Sequence, residues 1–572
     1  MAMKRSPVFS SRFISTLCVG VLLPTLALCE SAQPPRAGLS VPAPSEAALT
    51  DELWDQLIAL DNGLSDQDIA DLLGGLLPQA IEDALVQGGP SATGYSPHRR
   101  WRRGNVAAGF GIDQFNQPDA GVYRARAATR MPGGEILVVG ESTSTNNVTH
   151  VALVRYDRYG RRVAWPHVQT NYSLASGEAA RFPGNDTASG WGVTRFIHSV
   201  QDVLIQGSFI YVLATQLQNG QRRPIIIRFS LGGSHYSWSS SNPDSETIRD
   251  AVAMDSNGQQ LIVLGRRSTS ATSENGGFWV TRWDINANGS LSQGSVTTFL
   301  PGRRIPADIR FRRQSAVFLD SSYYVAYTFN TGSSTTSGRY PCLLRVNASD
   351  QADAGFAPSG IVCSMVWDGG NNVDRAVALH NRAVGVGSNT SEHLFLSVDV
   401  DRDLANGIGV LKLVDGVFDS SFGPLGRRVY GGCAGFTPQL FPVGEGCGAL
   451  PASTHTLHIA AGRGLHVDSS GVYVTGYLLR NPSSGPTIRR PIFMHVDAND
   501  GSLNSLQSIG VFPGSQFTAL VPRPGGSEFT LAGWASDEDS NGDTGPKRFL
   551  TSHIVRNSDL IFYDGLQSAP DL

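Results

Sequence analysis

The sequence is poor in charged residues. Lys, Arg, Asp and Glu make up 16% of its 572 residues, and the formal net charge is −4. So small a net charge gives no whole-molecule field to attract nucleic acid or an anionic membrane surface. The charged fraction is below the usual quarter, while Gly is abundant at 64 residues. This composition argues against a coiled coil or a disordered acidic protein, and it favours many short strands joined by tight turns.

Long apolar runs are also scarce. The one near the N-terminus, residues 13–28, follows a basic lead and is interrupted by polar residues and a proline. It is short for a spanning helix, which needs about 20 apolar residues. Small residues at its end complete the pattern of a secretory signal over residues 1–32, so we expect a secreted or periplasmic protein. Leu26-Ala-Leu-Cys29 also resembles a lipoprotein signal, although Leu28 departs from the small residue expected before a lipidated cysteine.

Cysteine is rare, with six in the whole chain. Export would leave four: Cys342, Cys363, Cys433 and Cys447. An even number in an oxidising compartment favours disulfides, and the nearest-neighbour pairing, 342–363 and 433–447, is the simplest of three connectivities. Free structural thiols or a metal site are the alternatives, but no Cys-x-x-Cys spacing supports a metal.

Helical periodicity is confined to the segment 33–104. A leader rich in Pro and Ala comes first, and residues 50–87 then carry apolar residues at helical spacing. No Lys or Arg occurs from Ala37 to His98, and an Arg-rich linker follows. One interpretation is an acidic helical pro-segment or partner-docking module, released at the basic linker. The other is a small helical cap with solvated acidic faces.

Residues 105–572 have an all-β pattern that repeats. Seven times an apolar strand with a basic residue near its end runs into a polar turn; the basic residues are Arg155, Arg228, Arg282, Arg345, Lys412, His495 and His553. Each of these strands follows another apolar strand; the seven are 136–140, 210–214, 261–265, 324–327, 383–387, 472–476 and 529–533. Long periods that carry only strands predict the blades of a closed ring rather than the coils of a solenoid.

The turns that punctuate these strands are of the hairpin kind. Gly133-Gly134, Asn257-Gly258, Asn288-Gly289 and Asp500-Gly501 are the dipeptides of tight hairpins whose two central residues both take positive φ.

On these residues the chain resembles secreted bacterial β-propellers of the delta-sixty repeat type. The stretches that match the repeat are Asp284-Ile-Asn-Ala-Asn-Gly-Ser-Leu291, Asp497-Ala-Asn-Asp-Gly-Ser-Leu503 and Phe418-Asp-Ser-Ser-Phe-Gly423. The resemblance covers roughly residues 105–565 and implies a seven-bladed β-propeller of four-stranded antiparallel blades, preceded by the short helical segment. It further implies that Phe110-Gly111 forms the outer strand of a blade whose other strands lie at the C-terminus. It implies no particular activity.

Strand parity predicts where function would lie. In antiparallel blades of strands A to D, the B–C and D–A connections leave from the same end, opposite the short A–B and C–D turns. The long irregular segments are 141–150, 266–277, 328–341, 388–409, 424–456 and 534–548. Long loops on a rigid scaffold commonly carry binding and catalysis, so we expect the functional surface on this long-loop face, with both cysteine pairs at or beside it.

One of these loops has the composition of a cation site. Asp537, Asp539, Asn541 and Asp543 offer oxygen ligands at alternate positions around Gly542, as in a calcium-binding loop. The twelfth position, where a bidentate Glu is expected, holds Arg548, so the alternative is a solvated acidic turn. Asp399, Asp401 and Asp403 with Asn406-Gly407 form a weaker second candidate, since a strand could run through them.

The remaining polar residues suggest structure more than chemistry. His455, His458 and His466 are close in sequence, but that region has the pattern of loop and strand, so we expect scattered hydrogen-bonded histidines. We expect the recurring basic residue to pair with a carboxylate or carbonyl of a neighbouring blade. The aromatics near it, Tyr156, Phe229, Trp279 and Trp283, are expected to pack between blades.

No catalytic motif stands out, so the catalytic residues are unknown. We therefore expect a binding or adhesion module for an extracellular ligand, polymer or protein, as a monomeric chain. The alternative is a propeller hydrolase or lyase that acts on an exported polymer or lactone at the channel mouth.

Calcium at Asp537–Asp543 gives a direct prediction. A cation that binds only the folded chain stabilises it, by about 2.7 kcal/mol at a concentration 100 times its Kd. We expect EGTA to lower the melting temperature of the wild-type protein and to leave that of the Asp539→Ala, Asp543→Ala variant unchanged. Equal melting temperatures of the wild type with and without chelator would contradict the calcium site.

Overall fold

The computed structural model describes part of the chain. The described residues are 95–97, 110–113, 122–143, 149–158, 160–166, 173–174, 179–182, 195–218, 221–240, 248–268, 277–299, 304–314, 319–330, 338–357, 359–364, 373–385, 390–401, 407–430, 455–458, 464–480, 488–508, 514–523, 528–536 and 547–556. The chain divides into two units, Met1–Ala59 and Leu60–Leu572, and every described residue belongs to the second. The predicted signal and helical segment therefore lie outside the described residues.

The described residues form antiparallel strands that pair in sequence order. Two short strands come first, β1 (Tyr95–Pro97) and β2 (Phe110–Asp113). The strands that follow fall into consecutive groups, numbered here with Roman numerals. Group I contains β3 (Val122–Arg130), β4 (Ile136–Thr143), β5 (Thr149–Tyr156), β6 (Arg162–Val163), β7 (Ser173–Leu174) and β8 (Ala179–Phe182). Group II contains β9 (Arg195–Gln206), β10 (Phe209–Gln218), β11 (Gln221–Ser230) and β12 (His235–Ser240). Group III contains β13 (Ile248–Ser256), β14 (Gln260–Ser268), β15 (Phe278–Ile285) and β16 (Leu291–Phe299).

The later groups follow the same plan. Group IV contains β17 (Arg304–Arg313), β18 (Leu319–Asn330), β19 (Arg339–Val346) and β20 (Ile361–Cys363). Group V contains β21 (Val373–Val384), β22 (Ser391–Asp401), β23 (Gly407–Val414), β24 (Val417–Phe418) and, after a 3-10 turn at Pro424–Gly426, β25 (Arg427–Tyr430). Group VI contains β26 (His455–His458), β27 (Leu465–Val467), β28 (Val472–Arg480), β29 (Ile488–Val496) and β30 (Leu503–Ser508). Group VII contains β31 (Gln516–Pro522), β32 (Glu528–Ser536) and β33 (Lys547–Arg556).

The all-β prediction is confirmed for the described residues, which form antiparallel, mostly four-stranded arrangements. Single-residue pairings join two pairs of groups into larger sheets: Thr149 with Ile197 links I to II, and Arg339 with Val373 links IV to V. No helix within the described ranges is long and apolar enough to cross a membrane.

The strands predicted to carry the basic residue are all confirmed as the third strand of their group. The strand predicted before each of them is confirmed as the second strand in every group but V. There, the prediction of a strand at 383–387 and a loop at 388–409 was wrong: Ala383 ends β21, and β22 occupies Ser391–Asp401. The Ala-Val-Gly-Val-Gly sequence copies the repeat signature, whereas β22 hides its apolar face by alternating Val398 and Val400 with aspartates.

The glycine that ends several second strands has a steric reason. In groups I and VII, a register shift next to this position places a bulge in the first strand, after Ala125 and after Phe517. A Cβ added to Gly140 would lie 2.0 Å from the carbonyl oxygen of Arg124, and one added to Gly533 would lie 2.0 Å from that of Gln516. Only glycine lets the two backbones come this close.

The predicted turn glycines have the expected left-handed conformation, with φ of 86° at Gly134, 97° at Gly258, 73° at Gly289 and 68° at Gly501. The residue before each of them does not share it, so the prediction of two central residues with positive φ was wrong. At residues 286–290 the bonds explain this: Gly289 N–H donates to Asn286 O at 2.8 Å, and Asn286 N–H donates to Ser290 O at 2.9 Å. A longer loop of this kind needs one left-handed residue instead of two.

Apolar faces hold consecutive groups together. Each group shares a buried cluster with the next, as Leu153 does with Ile227, Leu213 with Trp279, Val280 with Val325, Leu343 with Leu396, Val410 with Met494, and Phe493 with Leu531. Group VII shares a further cluster with group I, in which Val154 of β5 packs with Ala532 of β32. The predicted packing role of Tyr156, Phe229, Trp279 and Trp283 is confirmed, since all four are buried in these clusters.

The N-terminal strands join the last group. Strand β2 pairs antiparallel with β33 from Phe110–Ser552 to Asp113–Phe549, so the prediction for Phe110-Gly111 is confirmed. Strand β1, inside the segment predicted as leader and linker, pairs with the far end of β33. The predicted disulfide between Cys342 and Cys363 is confirmed and joins β19 to β20. Cys433 and Cys447 lie outside the described residues.

The β2–β33 pairing should contribute to stability. Successive N–H groups of a strand alternate in direction, so replacing both Gly111 and Ile112 by proline removes at least one donor to β33. We expect the free energy of unfolding to fall by about 3 kcal/mol in urea denaturation. The control Gly111→Ala, Ile112→Val keeps both donors and should stay near the wild type; equal stability of the proline variant would contradict this role of β2.

Candidate functional site

The first strands of the groups carry an unexpected row of ionisable residues. Consecutive first strands lie against one another, and most have an edge with no strand paired along it. Asp202 in β9 accepts a hydrogen bond from Met254 N–H in β13 (2.9 Å), and Asp255 in β13 accepts one from Phe311 N–H in β17 (2.8 Å). Asp308 in β17 does the same for Leu379 N–H in β21 (2.8 Å). A carboxylate of one group thus satisfies a backbone donor of the next.

Four consecutive first strands have an ionisable residue at the same position. Asp255, Arg310, His380 and His466 lie opposite Ile262, Tyr324, Phe395 and Tyr473 of their second strands. This position is close to the turn between first and second strand. These four residues therefore gather at the end of the strands opposite the predicted long-loop face. Sequence analysis missed the row because only the strand register aligns residues so far apart in the chain.

Arg310 is the charged centre of the row. Its Nη1 donates to Asp308 Oδ1 at 2.8 Å, and the Asp308 side chain is 1% exposed. Burial disfavours the charge on Arg310, but the carboxylates of Asp308, Asp255 and Asp202 more than compensate and raise its pKa. Arg310 is thus a fixed cation between carboxylates.

His380 and His466 form a pair between groups V and VI. Their rings meet edge to face with centroids 5.2 Å apart. His380 Nδ1 is buried and has no hydrogen-bond partner among the described residues. Burial, His466 and the cations Arg313, Arg310 and Arg382 hold the pKa of His380 well below its usual value.

His466 is perturbed in the same direction. Burial lowers its pKa to about 4, although Asp468, whose Oδ2 lies 3.8 Å from His466 Nε2, opposes the shift. Both imidazoles are therefore neutral at pH 7.

A buried carboxylate links groups IV and V beside this pair. Glu392 is 5% exposed and accepts hydrogen bonds from Tyr324 OH (2.6 Å), Arg313 N–H (2.9 Å), Arg312 Nε (3.1 Å) and Asn381 Nδ2 (3.2 Å). Burial, followed by the Glu392 charge, raises the pKa of Tyr324. With four donors around it, Glu392 is suited to joining strands and poorly suited to acting as a general base.

The recurring basic residue has the predicted pairing role, but its partner is usually in its own group. Arg155 bonds Glu135 (2.5 Å), Arg345 bonds Asp353 (2.8 Å) and Lys412 bonds Asp419 (2.7 Å). His495 approaches Ser470 O at 3.2 Å and His553 approaches Glu528 at 2.8 Å, both again within one group. Only two reach the next group: Arg228 donates to Asn288 O (3.0 Å) and Arg282 bonds Asp350 (2.7 Å). The carboxylates lie in turns next to the third strand, which is closer than the neighbouring group.

Most residues predicted for the site are not described. Asp537, Asp539, Asn541 and Asp543 lie outside the described residues, as do Asp403 and Asn406. Asp399 and Asp401 lie in β22, so the second calcium candidate begins in an extended strand. His455 and His458 lie in β26, and His466 lies in β27. Where side chains are described, no three His, Cys, Asp or Glu residues are arranged to hold a metal ion.

Comparison with known proteins gives no family. No family model matches the chain, and no curated protein matches it. Among solved structures, the Dos1 propeller aligns with a TM-score of 0.36 at 10% identity, over 76% of this chain and 94% of its own. The GH93 α-L-arabinofuranosidase of Fusarium graminearum aligns with a TM-score of 0.32 at 8% identity (78% and 96% covered). Trypanosoma rangeli sialidase aligns with 0.31 at 9% (69% and 58%). At TM-scores this low, fold and function must be argued from the strands of this chain.

The histidine pair gives a pH prediction. Both pKa values are lowered on folding, so the unfolded chain binds protons below about pH 6.5 that the folded chain does not. Stability is therefore full above that pH and decreases toward pH 4, by up to about 1.4 kcal/mol per pH unit for each proton. We expect urea denaturation between pH 7 and 5 to show a smaller loss for His380→Gln, His466→Gln than for the wild type. The exposed His198→Gln should keep the wild-type dependence; equal dependence in all three proteins would contradict the prediction.

Proposed function

We propose that the chain folds as a seven-bladed β-propeller, of the secreted bacterial type that the delta-sixty repeats indicate. Groups I to VII would be the blades. Three features support this: the antiparallel order within each group, the buried clusters between consecutive groups, and the cluster that joins group VII to group I. The pairing of β2 with β33 would complete the last blade and leave no open sheet end.

A location outside the cytoplasm fits this proposal. The bond between Cys342 and Cys363 would persist in an oxidising compartment, which is where the predicted signal would deliver the chain. Cys433 and Cys447 would form the second disulfide, within the connection between β25 and β26.

We further propose that the protein is a binding or adhesion module that uses its long-loop face. The single observation behind this is the antiparallel order of every group, which sends the connections between second and third strands and those between groups to the same end. They include the two long segments 431–454 and 537–546. The opposite end has compact turns such as 131–135 and 257–259.

A binding role is favoured over catalysis by how the buried acids are used. Asp202, Asp308 and Glu392 all accept backbone N–H donors from a neighbouring group, so they stabilise the scaffold. A hydrolase or lyase would need titratable groups that converge on the long loops. Calcium at Asp537–Asp543 would order one of these loops for binding.

The test uses a polysaccharide array that contains alginate, dextran and xanthan. We expect the mature protein to be retained on at least one polymer without releasing reducing ends. Replacing 537–546 by a Gly/Ser segment of equal length should abolish retention, while replacing the turn 257–259 by Ser-Gly-Ser should not. Release of reducing ends would support the hydrolase instead, and equal retention of both variants would contradict the long-loop face.

A further inference from the structure

We propose an oxyanion-binding site formed by Arg313, Arg382, His380 and His466, where groups IV, V and VI meet. Its ligand would be a small group with two or more negatively charged oxygens: a carboxylate, phosphate or sulfate. The site lies at the short-turn end of the first strands, away from the proposed long-loop face. It is therefore independent of the proposed function.

The backbone brings these residues together across three groups. Arg313 N–H donates to Glu392 Oε1 at 2.9 Å, and Glu392 lies opposite Ala383 in the register of β21 and β22. Arg382, the neighbour of Ala383, donates from Nη1 to the carbonyl oxygen of Asp468 in group VI. The rings of His380 and His466 lie beside this bridge.

The cluster has more positive charge than its carboxylates compensate. Arg310 is occupied by Asp308, and Arg312 by Glu392. Within the described part of the chain, the Arg313 guanidinium makes no hydrogen bond or salt bridge, although it lies close enough to both histidines to lower their pKa values. The Arg382 bond to a carbonyl leaves its charge without a carboxylate in contact.

The one acid close by is largely occupied. Asp468 Oδ1 accepts hydrogen bonds from Ser470 N–H at 2.7 Å and Gly471 N–H at 3.1 Å, which hold the turn after β27. Its other oxygen lies 3.8 Å from His466. Two half-buried guanidinium groups thus face one carboxylate that already has a structural role.

The donors that remain match an oxyanion. A guanidinium offers parallel N–H donors to two oxygens, and such charge-assisted bonds are about twice as strong as neutral ones. His380 Nδ1, which is buried without a partner, is a further polar atom beside them. A bound anion would offset the repulsion among the cations and would favour protonation of the histidines, which supplies more donors.

The experiment follows the imidazole signals of the full mature protein by NMR while inorganic phosphate, sulfate or acetate is added at pH 6, with chloride at matched ionic strength as reference. We expect saturable shifts of the His380 and His466 signals with at least one oxyanion and none with chloride. A preference for phosphate and sulfate would identify a phosphoryl or sulfate group as the ligand; a preference for acetate would identify a carboxylate.

Variants decide whether the proposed arginines are responsible. Arg313→Gln and Arg382→Gln should each weaken the apparent affinity at least about tenfold, because each removes a charge-assisted bond. The control Arg375→Gln changes an exposed arginine of the same strand β21 and should bind as the wild type does. Cooperative unfolding of each variant confirms that it is folded. Unsaturable shifts, or equal affinity in the wild type and the double variant, would overturn the proposal.

Discussion

The fold depends on how the exposed edge of each first strand satisfies its backbone donors. A strand edge with free N–H groups is costly when buried and invites wrong pairing when open. Here carboxylates from one group bond the backbone of the next, from Asp202 to Met254, Asp255 to Phe311 and Asp308 to Leu379. These bonds fix the spacing between groups, while the apolar clusters supply most of the stabilisation. The two interactions need each other, because burial alone would leave the donors unpaired.

This use of charge explains why acids are plentiful near the first strands and yet do not suggest catalysis. A carboxylate with two or more donors has a low energy as an anion and takes up a proton poorly. Glu392 is the clearest case, since a tyrosine, an arginine, an asparagine and a backbone amide all bond to it. The cations at the same end are less fully used, and the proposed anion site follows from that imbalance.

The two ends of the strands are therefore different surfaces. One has compact turns fixed by left-handed glycines and by Asn or Asp side chains, with the row from Asp255 to His466 beneath them. The other receives the long connections, which are free to vary because the strands already hold the scaffold. A propeller of this kind could bind a large ligand at one end and a small anion at the other.

The sequence by itself determined the strands with strong local signals. Third strands, most second strands, the N-terminal closing strand and the disulfide between Cys342 and Cys363 could be predicted, because apolar runs, strand-final glycines and spacing are local properties. Strand β22 was missed since its aspartates disguise an apolar face and a neighbouring segment imitates the repeat. Only the tertiary structure decided which charges meet. Asp255, Arg310, His380 and His466 are far apart in the chain, and the register of paired strands, which bulges shift by one residue, brings them to one level.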